Sequence, residues 1–266
     1  MLTIKQTVKS LGMMSVVTAF ALSFTGLAQA DAFGGGIPSG WSCMGNCGTL
    51  GADGVVTTSP EGGLYGYIIS NAAEFGLGLT GTHEHNGSRL RSSVFTVATT
   101  SMLEYYFNYV TSDGGDYTDY AWVRLLDNFL NPVAMLFTAR TTNSGDTVPG
   151  FGLPDISPGV TLTPATKTII SSGPAWTPLD GYSGVCYDTG CGYTGWIKMT
   201  YAVNPGDYVL EFGVVNWDDS GYDSGLAFDG GLVSHPPGGP VPEPATLALL
   251  GLGLAGLGFM RRKARV

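Results

Sequence analysis

The sequence predicts an all-β fold: an antiparallel two-sheet β-sandwich, jelly-roll-like, flanked by an N-terminal signal peptide and one short C-terminal transmembrane helix. Three observations predict it. The chain carries 41 glycines and 15 prolines in 266 residues, so turn-forming residues are frequent. Charged residues make up 12% of it, about half the usual share, which excludes helical bundles and coiled coils, whose helices need long runs of Ala, Leu, Glu, Lys and Arg. Between the two ends, no segment sustains an apolar period near 3.6, whereas short runs of period two recur. An aromatic content of 11% argues against disorder, because such a chain can bury a core.

Residues 1–30 have the pattern of a secretory signal. Lys5 and Lys9 give a positive start, 11–27 is apolar or small, and Ala28-Gln29-Ala30 is an A-x-A cleavage site. The alternative is an uncleaved anchor helix, for which the apolar run is short.

Residues 31–233 are expected to form the sandwich, a length that suits one domain. The run 102–110 places Leu103, Tyr105, Phe107 and Tyr109 on one face of a strand. The run 208–217 does the same with Tyr208, Leu210, Phe212 and Val214. Further strands are expected at 55–58, 65–70, 93–99, 120–126, 133–139, 159–163, 167–171, 196–203 and 226–233. Turns fall at Asp113-Gly114-Gly115, Asn204-Pro205-Gly206-Asp207 and Ser220-Gly221. The stretch 141–158, rich in Gly, Pro, Asn and Asp, reads as a long loop over one end of the sandwich. Residues 31–240 hold 20 acidic and 6 basic side chains, a net charge of −14. That balance excludes nucleic acid as a partner, which needs a basic footprint, and suits cations and solubility.

Residues 234–241 form a Pro/Gly linker, stiff enough to hold the domain off a membrane. Pro242-Glu243-Pro244 follows, then an uncharged run at 245–260 with four glycines, then Arg261, Arg262, Lys263 and Arg265. Sixteen helical residues span ~24 Å, short of the ~30 Å hydrocarbon core. The basic cluster is expected to stay cytoplasmic while the domain lies outside. This tripartite tail, 242–266, resembles the PEP-CTERM sorting signal of Gram-negative bacteria. The resemblance implies handling by an exosortase, a membrane cysteine transpeptidase, at Pro242, Glu243 and Pro244. It also implies a membrane-held precursor, then placement at the cell surface or outside, with exopolysaccharide and biofilm matrix as the setting.

The middle of the chain carries a second resemblance. Residues 109–121 (Tyr-Val-Thr-Ser-Asp-Gly-Gly-Asp-Tyr-Thr-Asp-Tyr-Ala) and 216–229 (Asn-Trp-Asp-Asp-Ser-Gly-Tyr-Asp-Ser-Gly-Leu-Ala-Phe-Asp) resemble choice-of-anchor domains of bacterial surface proteins. The segments 40–48 and 190–196 are similar to an uncharacterised family of PEP-CTERM proteins. These resemblances imply a β-sandwich on an exported protein and carry no established biochemical activity.

Candidate sites are few. Cys43, Cys47, Cys186 and Cys191 are an even number in an exported chain, which favours disulfides, with the local pairing 43–47 and 186–191 expected. A zinc knuckle is the alternative. Asp113, Asp116 and Asp119 form one acidic run, and Asp218, Asp219, Asp223 and Asp229 another. A structural calcium is one reading, with Asp223 and Asp229 as its expected ligands, and solvated turns the other. No other cofactor is expected. His83-Glu84-His85 reads as exposed loop rather than a chelate. Glu104 and Glu211 lie in aromatic strands, where a sheet could bring two carboxylates together as glycosidases require. Trp122, Trp176, Trp196 and Trp217 are divided between core anchors and exposed rings able to stack on sugars. No nucleophile elbow, zincin helix or phosphate loop occurs. The expectation is a non-enzymatic structural or adhesive protein. A carbohydrate-binding module comes second and a glycoside hydrolase third.

Overall fold

The period-two runs become strands, and the two richest in aromatic residues become central strands of separate sheets. In a computed structural model, which describes residues 32–72, 74–79 and 83–233, fifteen strands and one 3-10 turn, Thr177–Tyr182, are present. The strands are β1 (Ser42–Met44), β2 (Asn46–Leu50), β3 (Tyr65–Ile69), β4 (Glu74–Phe75), β5 (Glu84–Arg91), β6 (Phe95–Val97), β7 (Ser101–Thr111) and β8 (Tyr120–Asp127). They continue with β9 (Pro132–Arg140), β10 (Thr161–Thr163), β11 (Ile170–Ser171), β12 (Gly192–Tyr193), β13 (Ile197–Val203), β14 (Gly206–Trp217) and β15 (Ser224–Val233). One antiparallel sheet runs β1-β5-β14-β8-β9, with β4 on the edge of β5 and β6 beside β14. The other runs β10-β13-β7-β15-β3-β2, with β12 on the end of β7 and β11 beside β12.

Side-chain alternation then fixes the core. Leu103, Tyr105, Phe107 and Tyr109 of β7 face inward from one sheet, and Leu210, Phe212 and Val214 of β14 from the other. The register sets Phe228 of β15 beside Phe107 of β7. Phe228 reaches across to stack on Phe212, centroids 4.1 Å apart, while Phe107 meets Phe137 of β9 at 4.7 Å. Each of these rings is wholly buried, and burying such a side chain stabilises the fold by ~1.5–3 kcal/mol.

Both outer faces are partly covered as well. Val56, Tyr65, Ile69, Val110, Trp176, Leu179 and Ala227 form a cluster on the outside of the second sheet, where the 3-10 turn lies. Leu77, Tyr120, Trp122 and Val215 form another on the outside of the first. These clusters explain where the sequence reading departs from the structure. Residues 55–58 are not a strand: Val55 N donates to Ala175 O, Val56 makes one bridge to Asp53, and its side chain is buried in the second cluster. The stretch 141–158 does not arch over one end. Gly150 N donates to Thr138 O and Ser157 N to Met135 O, so it runs along edge strand β9. Cover of this kind blunts an exposed edge.

Strand β5 was not expected, because Gly87 and Ser88 carry little strand propensity. It forms because it pairs with β14 on one side and with β1 and β4 on the other. His83-Glu84-His85 therefore leads into a strand rather than lying in a loop. Where β1 passes into β2, Cys43 and Cys47 are joined by a disulfide, which ties one sheet to the other. Gly45 makes that corner at φ +91, and a Cβ there would collide with Ser88 Oγ and Gly87 O. The expected signal peptide, linker and transmembrane helix lie outside the described residues. Among the described residues, no helix is long and apolar enough to cross a membrane.

Gly213 sits on the outer face of β14 beside Trp122, its partner on β8. A Cβ there would overlap the Trp122 indole, which is wholly buried and cannot swing away. Gly213→Ala should therefore lower the free energy of unfolding by about 2 kcal/mol, within the range for overpacked cores. Urea unfolding followed by tryptophan fluorescence measures this.

Candidate functional site

Two crossovers meet at one end of the sandwich. The chain leaves β7 in one sheet and enters β8 in the other through 112–119. It returns from β14 to β15 through 218–223. The crossovers are bonded side by side: Ser112 N and Ser112 Oγ both donate to Asp223 O, at 3.1 and 2.9 Å. The segment that follows the 3-10 turn closes over them. Tyr187 N donates to Ser112 O and Gly115 N to Thr189 O. The disulfide Cys186–Cys191 fixes that segment.

Beneath these loops is a buried polar network. Asp119 Oδ1 accepts from Trp217 N at 2.8 Å and Oδ2 from Ser224 Oγ at 2.7 Å. The Tyr109 hydroxyl donates to Asp119 O at 3.0 Å, and Thr111, Thr141 and Ser224 hydroxyls interlink around it. Next to it, Asp223 Oδ1 accepts from Ser70 Oγ and from Asn216 Nδ2, each at 3.4 Å. Asp113 Oδ1 accepts from Gly114 N at 2.7 Å. Asp113 Oδ2 and Asn216 Oδ1 are buried and accept nothing.

Burial dominates the acid–base behaviour. It pushes the Asp113 carboxyl up to about 8, against the Gly114 hydrogen bond, and the charges of Asp219 and Asp223 push the same way. Asp223 is pushed up to about 6, by burial first, against its bonds from Asn216 and Ser70. Asp119 is raised by burial and by the charge of Asp113. Arg140 stands at this end with its guanidinium 4.3 Å from the Trp217 ring centre, and desolvation lowers its pKa.

The outer surface of the same loops is aromatic. Tyr117 meets Tyr187 edge-on at 5.5 Å, Tyr187 meets Tyr222 at 4.9 Å, and Tyr222 meets Tyr182 at 4.9 Å. Tyr187 is 47% exposed. Asp180, Asp218 and Tyr222 adopt left-handed backbone angles, φ 49°, 66° and 51°, as does His83 opposite at φ 64°. Such residues cost on the order of 1–3 kcal/mol each and gather where a site holds them in place. His83 bonds Asp218 at 2.5 Å and stacks on Trp217 at 5.4 Å.

The structure sorts the residues singled out by the sequence. The cysteines pair as 43–47 and 186–191, so no zinc knuckle forms from them. Asp223 and Asp229 do not meet. Asp223 precedes β15 at the loop end, whereas Asp229 lies six residues along the strand, ~20 Å away, with Ser59 Oγ and Gly230 N on its carboxylate. They cannot share one ion. Among the described residues no three of His, Cys, Asp and Glu form a ready metal cluster.

Glu104 and Glu211 point away from each other, on the outer faces of different sheets. Glu104 pairs with Lys198 at 2.6 Å. Glu211 is wholly buried and is held by Arg124 at 2.6 Å and Arg91 at 2.7 Å, with Arg89 at 4.0 Å. Burial alone would raise its pKa, but the bonds and charges of Arg124 and Arg91 outweigh it and keep Glu211 ionised. Trp122 and Trp176 are wholly buried, while Trp196 and Trp217 are half-buried. The tyrosine row was not expected, because its members come from three separate segments and no local pattern links them.

Residues 240–263 match the PEP-CTERM protein-sorting motif. No curated protein matches the chain. Among solved structures, the chain is similar to two cleaved adhesin domains of Lys-gingipain from Porphyromonas gingivalis. One is 12% identical, with 77% of this chain and 96% of that chain covered and a TM-score of 0.38. The other is 10% identical, with 77% and 97% covered and a TM-score of 0.36. An exo-β-agarase is 14% identical, with 78% of this chain and 25% of that chain covered and a TM-score of 0.30.

The raised carboxyls set a pH dependence. Their folded pKa values lie above the unfolded value of about 4, so between about pH 4 and about pH 8 the folded state holds more protons. Their contribution is fully present below about pH 4 and is lost as pH rises through about 6 and about 8. In buffer containing monovalent ions alone, the melting temperature should fall as pH is raised from about 5 to about 8.5. Asp113→Asn should flatten that fall. Calorimetry across the range reads both, and a melting temperature that rises over the window contradicts the assignment.

Proposed function

We propose that this chain is an exported surface protein, displayed through an exosortase-type sorting route, with a structural or adhesive rather than catalytic role. The match of residues 240–263 to the sorting motif carries this reading. In it, the N-terminal signal takes the chain across the inner membrane. The apolar run and Arg261, Arg262 and Lys263 hold a precursor there, and a membrane transpeptidase acts near Pro242, Glu243 and Pro244. Two prolines keep that triplet extended and open to an enzyme. The acidic domain is then set at the surface or in an exopolysaccharide matrix. The separation of Glu104 from Glu211 supports a role other than glycoside hydrolysis.

A second reading, carbohydrate binding by the same domain, is favoured by the row Tyr117, Tyr187, Tyr222 and Tyr182. Its rings line one loop-bearing end, with Asp180 and Asp219 close by to accept hydrogen bonds from sugar hydroxyls. Concave or end-on aromatic surfaces with a few placed polar groups are where small ligands bind.

Two measurements test these readings. In a host with the sorting enzyme, intact-mass analysis should show a species lacking residues 1–30 and the C-terminal run, while a host without it should keep the chain in its membrane fraction. A full-length tail on the mature protein in the sorting host contradicts processing. On a glycan array, any glycan bound by the wild type should lose about tenfold in affinity, ~1.4 kcal/mol, in Tyr187→Ala. Binding that survives this change places the glycan elsewhere.

A further inference from the structure

We propose that the end of the sandwich holds one divalent cation of the calcium class, ligated by Asp113, Asp223 and the side-chain oxygen of Asn216. The proposal rests on oxygens that the fold buries and leaves without donors. Four buried side-chain atoms lack a partner among the described residues: Asn108 Nδ2, Asp113 Oδ2, Thr147 Oγ1 and Asn216 Oδ1. The carboxylate oxygen and the amide oxygen of this set both belong to residues beside Asp223, whose charge reaches the Asp113 carboxyl and whose Oδ1 bonds Asn216. Ser112, which precedes Asp113, is fastened by two hydrogen bonds to the carbonyl of Asp223. Asn216 Nδ2 is bonded to Asp223 Oδ1 and to Asn86 Oδ1. Asn216 and Asp223 are thus bonded to each other, Asp113 follows the residue fastened to Asp223, and all three are nine-tenths or more buried.

Buried polar atoms in folded proteins are almost always satisfied, so two orphan oxygens in one acidic patch ask for a positive partner. The charges facing the patch are mostly negative. Asp219 lies close on the 218–223 crossover, Asp119 at the end of the 112–119 crossover, and Asp180 on the 3-10 turn. Arg140 is directed elsewhere, donating to Thr118 O and Phe151 O.

The donor set selects the kind of ion. Every candidate ligand is oxygen, from carboxylate, amide or backbone, which suits a hard cation and not zinc or copper. Calcium accepts six to eight oxygens in irregular arrangements, whereas magnesium demands a near-ideal octahedron and keeps several waters. Three side chains from two crossovers and a strand end, in a buried setting, fit the first better. The ion would bridge 113 on one crossover to 223 on the other, and so fasten the two sheets where they meet. This differs from the pair read from the sequence, since Asp229 takes no part.

The test uses the purified full-length chain, stripped with chelator. Calcium at about a hundredfold above its Kd should raise the melting temperature by roughly 5–10 °C. Magnesium at equal concentration should do much less. Asp113→Asn and Asp223→Asn should each abolish the rise, whereas Asp229→Asn should keep it even if its baseline stability drops. Should the first two variants fail to fold, terbium titration of the wild type decides. Tyr222 adjoins Asp223, so tyrosine-sensitised terbium emission should appear at one ion per chain and be displaced by calcium. No calcium-dependent rise, an equal rise with magnesium, a rise retained in Asp113→Asn, or absence of sensitised terbium emission would each overturn the proposal.

Discussion

The hydrogen bonds that Asp119 accepts hold the two crossovers of the sandwich to each other. One of its carboxylate oxygens takes the backbone N–H of Trp217, where β14 ends, and the other takes Ser224 Oγ, where β15 begins. Asp119 itself immediately precedes β8. A single side chain thus sets the ends of three strands from two sheets. Its own carbonyl accepts from Tyr109, so the core ring of β7 is tied to the same point. In a low-dielectric interior each of these bonds is costly to leave unmade. Removing the carboxylate would orphan a strand-end amide and take one partner from a buried hydroxyl. The remaining loop geometry follows from that knot, including the seating of Ser112 on Asp223 and of Tyr187 on Ser112.

This arrangement accounts for the concentration of strained and polar residues at one end. Left-handed angles at Asp180, Asp218 and Tyr222 persist because the loops are bonded to one another and to strand ends. The exposed tyrosines are held by a buried polar layer and by the Cys186–Cys191 bridge. By contrast, the Glu211 cluster on the outer face of the first sheet joins three strands through arginine. Breaking such a buried pair by removing one partner costs ~3–5 kcal/mol, so its effect is on stability.

The strong signals in the sequence were those that depend on neighbours in the chain. The alternation at 102–110 and 208–217 placed the inward rings of β7 and β14 correctly, because a period of two is a local property of a strand. The cysteine pairs were legible because each closes a short loop. The signals that failed were non-local. Strand β5 has Gly87 and Ser88 at its centre and is defined by β14, β1 and β4 rather than by its own side chains. Residues 55–58 look like a strand because Val56 is buried, but it is buried under the 3-10 turn on an outer face. Asp223 and Asp229 look like one cluster in the sequence, yet five strand residues lie between them and hold them apart in space. The tyrosine row joins residues up to about a hundred positions apart and has no sequence signature.

An end built this way is a preformed surface rather than a set of mobile loops. Native-state hydrogen exchange tests it most directly. The amides of Ser112, Trp217 and Ser224 lie at the crossovers, outside or at the very ends of strands, and donate to Asp223 O, Asp119 Oδ1 and Ser70 Oγ. The account predicts that they exchange as slowly as the core amides of Phe107 and Phe212, through global unfolding alone. Exchange of these three at rates typical of surface loops, while the core stays protected, would contradict it.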